Sequence, residues 1–160
     1  MKEYVEAGKI VNTHGVSGEV KIEVWLDSPA FFKQFSRLYL NGEERRILSA
    51  RVHKQFLIAR IEGVDDLNAA MALKGKTVEV LRADAPLKEG EFFIQDILGF
   101  TVVDERGNIV GKLVDAEETP AAMLYHVVGE SEHLIPAVPQ FILKIDDRHE
   151  TILVHMIEGL

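Results

Sequence analysis

The 160-residue chain contains no cysteine. That removes a disulfide framework, a thiolate metal site and a cysteine nucleophile, and it suits a reducing compartment. No apolar run approaches the ~18–20 residues that a membrane-spanning helix needs, and the first residues lack the apolar core of a signal peptide, so a soluble, cytoplasmic protein is expected. The six histidines are scattered without metal-ligand spacing, and the phosphate-cradling and nucleophile-elbow motifs are missing, so no catalytic residue, metal or cofactor is expected. Internal repeats and low-complexity tracts are also missing.

Positive charge is scarce in one half only. Residues 1–84 carry thirteen Lys+Arg against twelve Asp+Glu, a net of +1, whereas residues 85–160 carry five against fourteen, a net of −9. Together with the turn-rich stretch Arg82 to Gly90, this asymmetry predicts two domains, 1–84 and 91–160, joined by a linker over 85–90. An acidic domain repels phosphate backbones and favours a basic protein partner.

Hydropathy alternation predicts an all-β protein. Strands are expected near 4–11, 18–26, 37–40, 43–53, 56–62 and 77–81, then near 100–105, 109–117, 123–129, 132–136, 141–146 and 151–156. Turns every eight to twelve residues point to two small β-barrels, because closure removes exposed edges. Asn41-Gly42 is a hairpin signal. Asp65 or Asp66 followed by Leu67, Ala70, Met71 and Leu73, with Gly75 beyond, predicts one helix, and a shorter helical turn is expected after Ser28-Pro29. Along 43–53 the alternation assigns Leu48, Ala50 and Val52 to the core and turns Ser49, Arg51 and His53 outward.

Four places attract attention as binding sites. Residues 8–20 set Gly15 and Gly18 around an exposed-looking turn beside Thr13 and His14, where glycine permits positive φ and close approach. The basic meander of Arg45, Arg46, Arg51, His53, Lys54 and Arg60 could meet phosphates, or pair with Glu43, Glu44 and Glu62. Trp25 lies on the polar side of its strand. Adjacent aromatics Phe92-Phe93 follow the linker, and in an extended segment one faces inward while the other is left for an interface. Ile135-Pro136-Ala137-Val138-Pro139 withholds two ladder donors and makes a stiff connection. Carboxylates at Asp104, Glu105, Asp115, Glu117 and Glu118 admit a rival reading as a two-metal hydrolytic site, although nothing pairs them with a base or nucleophile.

In order and spacing, several segments resemble the RimM family of small-subunit maturation factors. They are Gly8-Lys9-Ile10-Val11, Thr13-His14-Gly15, Gly18-Glu19-Val20, Arg37-Leu38-Tyr39-Leu40, Gly63-Val64-Asp65-Asp66 with Ala69-Ala70, Leu73-Lys74-Gly75, Asp96-Ile97-Leu98-Gly99, Ile135 to Pro139 and Glu158-Gly159-Leu160. The resemblance implies a six-stranded translation-factor-like barrel followed by a PRC-type barrel. It also implies a non-enzymatic assembly chaperone that binds the free 30S subunit and the nineteenth small-subunit protein, a basic protein of the head, and assists 16S rRNA maturation. The family usually has two tyrosines where this chain has Phe92-Phe93, and Ile94 replaces the aromatic that follows. The interface role carries over by resemblance to Phe92 and Phe93, and with the residues singled out above the expected partner-binding residues are Phe92, Phe93, Thr13, His14, Gly15, Gly18, Trp25, Arg51 and His53, on a protein that need be no more than a monomer. The rivals are a generic PRC-barrel adaptor and a metal-dependent rRNA-processing hydrolase.

Overall fold

The computed structural model describes residues 3–160, which form two compact units dividing between Pro86 and Leu87. In the first unit, β1 (Tyr4–His14), β2 (Glu19–Val24), β3 (Arg37–Leu40), β4 (Glu43–His53), β5 (Phe56–Ile61) and β6 (Thr77–Leu81) close into a barrel in the order β1-β2-β5-β4-β3-β6. The alternation of β2 is realised: Val20 and Ile22 are fully buried while Glu23 and Trp25 are exposed. Asn41 and Gly42 both take positive φ, at 52° and 78°, as a tight turn between β3 and β4 demands.

Both expected helices form, and each begins at a side-chain cap. Ser28 Oγ accepts from the Phe31 amide at 3.1 Å ahead of α1 (Pro29–Phe32), whose first residue is a proline that has no donor to lose. Asp66 Oδ1 accepts from the Ala69 amide at 2.8 Å ahead of α2 (Leu67–Ala72). Beyond α2, Gly75 turns left-handed and its amide donates to the Ile10 carbonyl at 2.7 Å, which ties the helix exit to β1.

Strand β1 runs three residues further than the alternation suggests. A bulge between Ile10 and Asn12 resets its register, so that Thr13 and His14 still pair with Val20 and Glu19. A bulge also accounts for a misassigned face. Leu48 and Val52, expected in the core, are 52% and 44% exposed, with Ala50 half-buried between them. The register of β4 on β5 shifts between Ile47 and Ser49, and β3 spans only Arg37–Leu40, pairing with Glu43 to Arg46. The far half of β4 therefore runs past its neighbour with no layer over its apolar side.

Part of the turn-rich stretch belongs to the barrel. A single 3-10 turn spans Arg82–Asp84, and the Asp84 carboxylate accepts from Arg37 Nε at 2.6 Å and Nη2 at 2.9 Å. The hydrogen bonds from Arg37 hold the Asp84 carboxyl below the usual carboxylate range. In the unfolded chain the same group titrates near ~3.9, so the pair stabilises the fold fully above that pH and loses its effect as pH falls through the lower folded value. Asp84→Asn is expected to lower stability at pH 7 and to flatten the acid limb of a plot of stability against pH. Urea titrations at pH 7, 4 and 3 check this, and parallel curves for the two proteins would contradict it.

In the second unit, α3 (Ile94–Ile97) leads into β7 (Thr101–Asp104), β8 (Ile109–Glu118), β9 (Met123–Val128), β10 (Glu132–Pro136), β11 (Ile142–Asp146) and β12 (Thr151–Val154). These pair in the order β10-β9-β8-β7-β12-β11, antiparallel except for the parallel contact of β12 with β7. Their shared core contains Ile97, Phe100, Val102, Leu113, Tyr125, Val127, Ile135, Ile152 and Val154.

Candidate binding surfaces

In the first unit, the ends of β1, β2 and β4 bring His14, Arg51 and His53 together with Glu19. His14 lies opposite Glu19 across the β1–β2 ladder, and its ring stands 6.2 Å from that of His53. Arg51 points outward as expected, but its Nη1 is 2.6 Å from Glu19 Oε2, so a phosphate must compete with that carboxylate. Arg45 reaches Glu43 at 3.4 Å and donates to the Glu62 carbonyl at 3.3 Å, whereas Glu44 is taken by Arg37.

Thr13 is half-buried and Gly15 exposed, next to Val16, which is 74% exposed at the turn. Gly18 is different. It is buried with φ at +105°, and a Cβ there would lie 2.6 Å from the Val64 carbonyl oxygen. The room this glycine leaves is filled by the chain's own 64–66 backbone, so Gly18 shapes the turn and does not reach a partner. Trp25 is 44% exposed, with Nε1 donating to Glu23 at 3.1 Å. It lies six residues along the chain from Glu19, roughly 20 Å at ordinary strand rise, and so is apart from the His14 cluster.

The aromatic pair of the second unit is divided as adjacent residues in extended chain must be. Phe93, with φ of −63° and ψ of 141°, precedes α3 and is 1% exposed. It is closed to a partner, which corrects the expectation that both rings are presented. Phe92 is half-buried and borders a groove of about 410 Å³, lined also by Lys88 to Glu91, Tyr125, Ala137 to Pro139 and Ile142 to Ile145. The stiff connection after β10 supplies one wall. The Ala137 amide donates to Met123 at 2.8 Å, and the Val138 carbonyl accepts from Phe141 and Ile142 at 3.0 and 2.9 Å.

The carboxylates do not converge. Asp104 caps the turn at Arg106-Gly107-Asn108, accepting from both the Arg106 and Asn108 amides at 2.9 Å, and these bonds, led by that of Asn108, hold its carboxyl low. Glu105 pairs with His155, while Asp115 and Glu117 line a separate groove with His126, Glu132 and Leu134. Among the described residues no three acidic or histidine side chains are placed to hold a metal ion.

Two family models match the chain: the RimM N-terminal domain over residues 5–85 and the RimM PRC barrel domain over residues 94–160. The chain belongs to the RimM family. RimM relatives described as ribosome maturation factors include one from Clostridium botulinum, 35% identical over 99% of this chain and 97% of its own. Another, from Oenococcus oeni, is 34% identical over 100% of this chain and 98% of its own. A crystal structure of a 16S ribosomal RNA processing protein RimM from Pseudomonas aeruginosa, 26% identical, superposes with a TM-score of 0.50, covering 98% of this chain and 99% of that one. The twelve strands described above are thus a RimM N-terminal barrel followed by a PRC-type barrel.

Proposed function

We propose that this chain is a ribosome maturation factor acting on the 30S subunit and its 16S rRNA, as a non-enzymatic assembly chaperone in the cytoplasm. Its acidic unit binds a basic protein of the subunit head, for which the nineteenth small-subunit protein is the family's candidate. The observation that carries this reading is the groove beside Phe92, a recess of mixed apolar and charged lining in a unit whose net charge is −9. A basic ribosomal protein presents to it the surface that would otherwise gather RNA indiscriminately, and covering that surface while rRNA folds is what a chaperone must do. The scattered carboxylates support a binding role over hydrolysis. The cluster of Thr13, His14, Gly15, Arg51 and His53 faces rRNA or the same protein, and a single copy of the chain suffices.

Charge tests this reading. The double variant Glu89→Lys, Glu91→Lys, at the border of that groove, is expected to weaken binding to the purified basic head protein by roughly tenfold near physiological salt, with the difference shrinking as salt rises. Calorimetric titrations at two salt concentrations measure it. An unchanged affinity would show that the acidic face is not used, and a stable complex with proteins outside the ribosome alone would favour a generic adaptor.

A further inference from the structure

One wall of the Phe92 groove is the side of a strand. Successive residues of a strand point to opposite faces, yet Ile142, Leu143, Lys144 and Ile145 all line this groove. The groove therefore meets β11 edge-on, where backbone donors and acceptors stand. β11 is an outer strand of its sheet, paired among the described residues only with β12 and with a register shift between Ile142 and Lys144, and Leu143 and Lys144 are exposed. The other outer strand, β10, is better guarded. It ends in Pro136, which has no N–H, and His133 Nδ1 is hydrogen-bonded to the Leu160 carbonyl at 2.5 Å, which brings that backbone against it.

We propose that an extended, basic segment of the partner protein adds to the β11 edge as a further strand, lying in the groove with an apolar side chain against Phe92. This rests on the function proposed above and specifies how the partner is held. An unpaired strand edge is complemented by another peptide backbone and by little else, whereas neighbouring apolar recesses choose among sequences. Charge selects the class of segment, because five Lys+Arg stand against fourteen Asp+Glu over residues 85–160, and Glu89 and Glu91 border the groove itself. That balance opposes an RNA strand or a second copy of this acidic unit. Lys88 and Lys144 also line the groove and oppose a run of unbroken positive charge. The segment that fits alternates apolar and basic residues, presenting the apolar set to Phe92, Val138 and Leu143.

Amide hydrogen exchange of the full chain, alone and mixed with the purified basic head protein, tests the proposal. The amides of 143–146 that point away from β12 are expected to slow by at least ~10-fold in the complex, because strand addition buries them in a new ladder, whereas the Ile142 amide is already bonded to the Val138 carbonyl. Leu143→Pro, which removes a donor, is expected to bind at least ~10-fold more weakly than Leu143→Ala, which keeps the backbone intact. Should the proline variant fail to fold, the exchange measurement on the unaltered chain still decides. A complex that leaves those amides of 143–146 unprotected while shielding the groove of Asp115, Glu117 and His126 overturns strand addition and leaves the proposed function standing. Equal losses in the two Leu143 variants also overturn it, in favour of side-chain packing alone. Absence of any complex overturns the proposed function and this inference together.

Discussion

Replacing Phe93 with alanine is expected to cost about 3–5 kcal/mol of stability, the range for deleting a fully buried phenyl ring, whereas Phe92→Ala, at the half-buried rim of the same core, costs clearly less and weakens partner binding. The two residues are neighbours in the chain, yet one is 1% exposed and the other borders an open groove. Removing the Phe93 ring leaves a cavity whose lining loses contacts on one side, and in a unit this small such a loss lowers the melting temperature by more than ~10 °C. Truncating Phe92 loses only the part of its ring that packs against the core and deletes apolar surface that a partner would bury. Differential scanning calorimetry and titration with the basic head protein, run on both single variants, separate the effects. A Phe93→Ala protein that melts with the wild type would show that its burial contributes nothing. Unchanged affinity in Phe92→Ala would remove the groove from the binding account.

Gly18→Ala is the second large effect, expected at about 3 kcal/mol. Two costs combine at this position: a backbone at φ +105°, which residues with a side chain rarely adopt, and a methyl group 2.6 Å from a carbonyl oxygen. The Val64 to Asp66 segment leads directly into α2, whose cap is Asp66, so the chain cannot yield there without disturbing the start of that helix. Gly15→Ala makes the matching control. It too has positive φ, at +68°, but nothing lies within 4 Å of its Cβ direction, so only the conformational cost of about 1 kcal/mol is expected. Equal destabilisation of the two variants in urea would contradict the close-approach explanation.

These glycines illustrate what was legible in the amino-acid order and what was not. Local signals suffice where they are self-contained. Asn41-Gly42, the Ser28 and Asp66 caps, and β3, β4 and β6 follow from residues within one turn or strand of each other. Spacing also announced that something approaches Gly18 closely, but which segment comes near is set by a contact across nearly fifty residues. Leu48 and Val52 failed for a different reason. Alternation assigns a face only while register is unbroken and a neighbouring layer exists, and β4 has both a bulge and an overhang beyond β3. For the aromatic pair, alternation required one ring in and one ring out without saying which; the start of α3 at Ile94 makes Phe93 the inward one. The groove is a product of tertiary structure, assembled from Lys88 to Phe92, the proline-stiffened connection and β11, and no single one of these segments announces it. Arg51 was placed outward, but its pairing with Glu19 depends on β2 and β4 meeting the same end of the barrel.

Whether this chain acts on the free small subunit, as proposed, is read from co-sedimentation. Purified protein is mixed with free 30S subunits and, in parallel, with 70S ribosomes, then run on sucrose gradients at near-physiological salt. The chain is expected to migrate with 30S subunits and to stay at the top of the 70S gradient. Equal migration with both particles, or with neither, would contradict it.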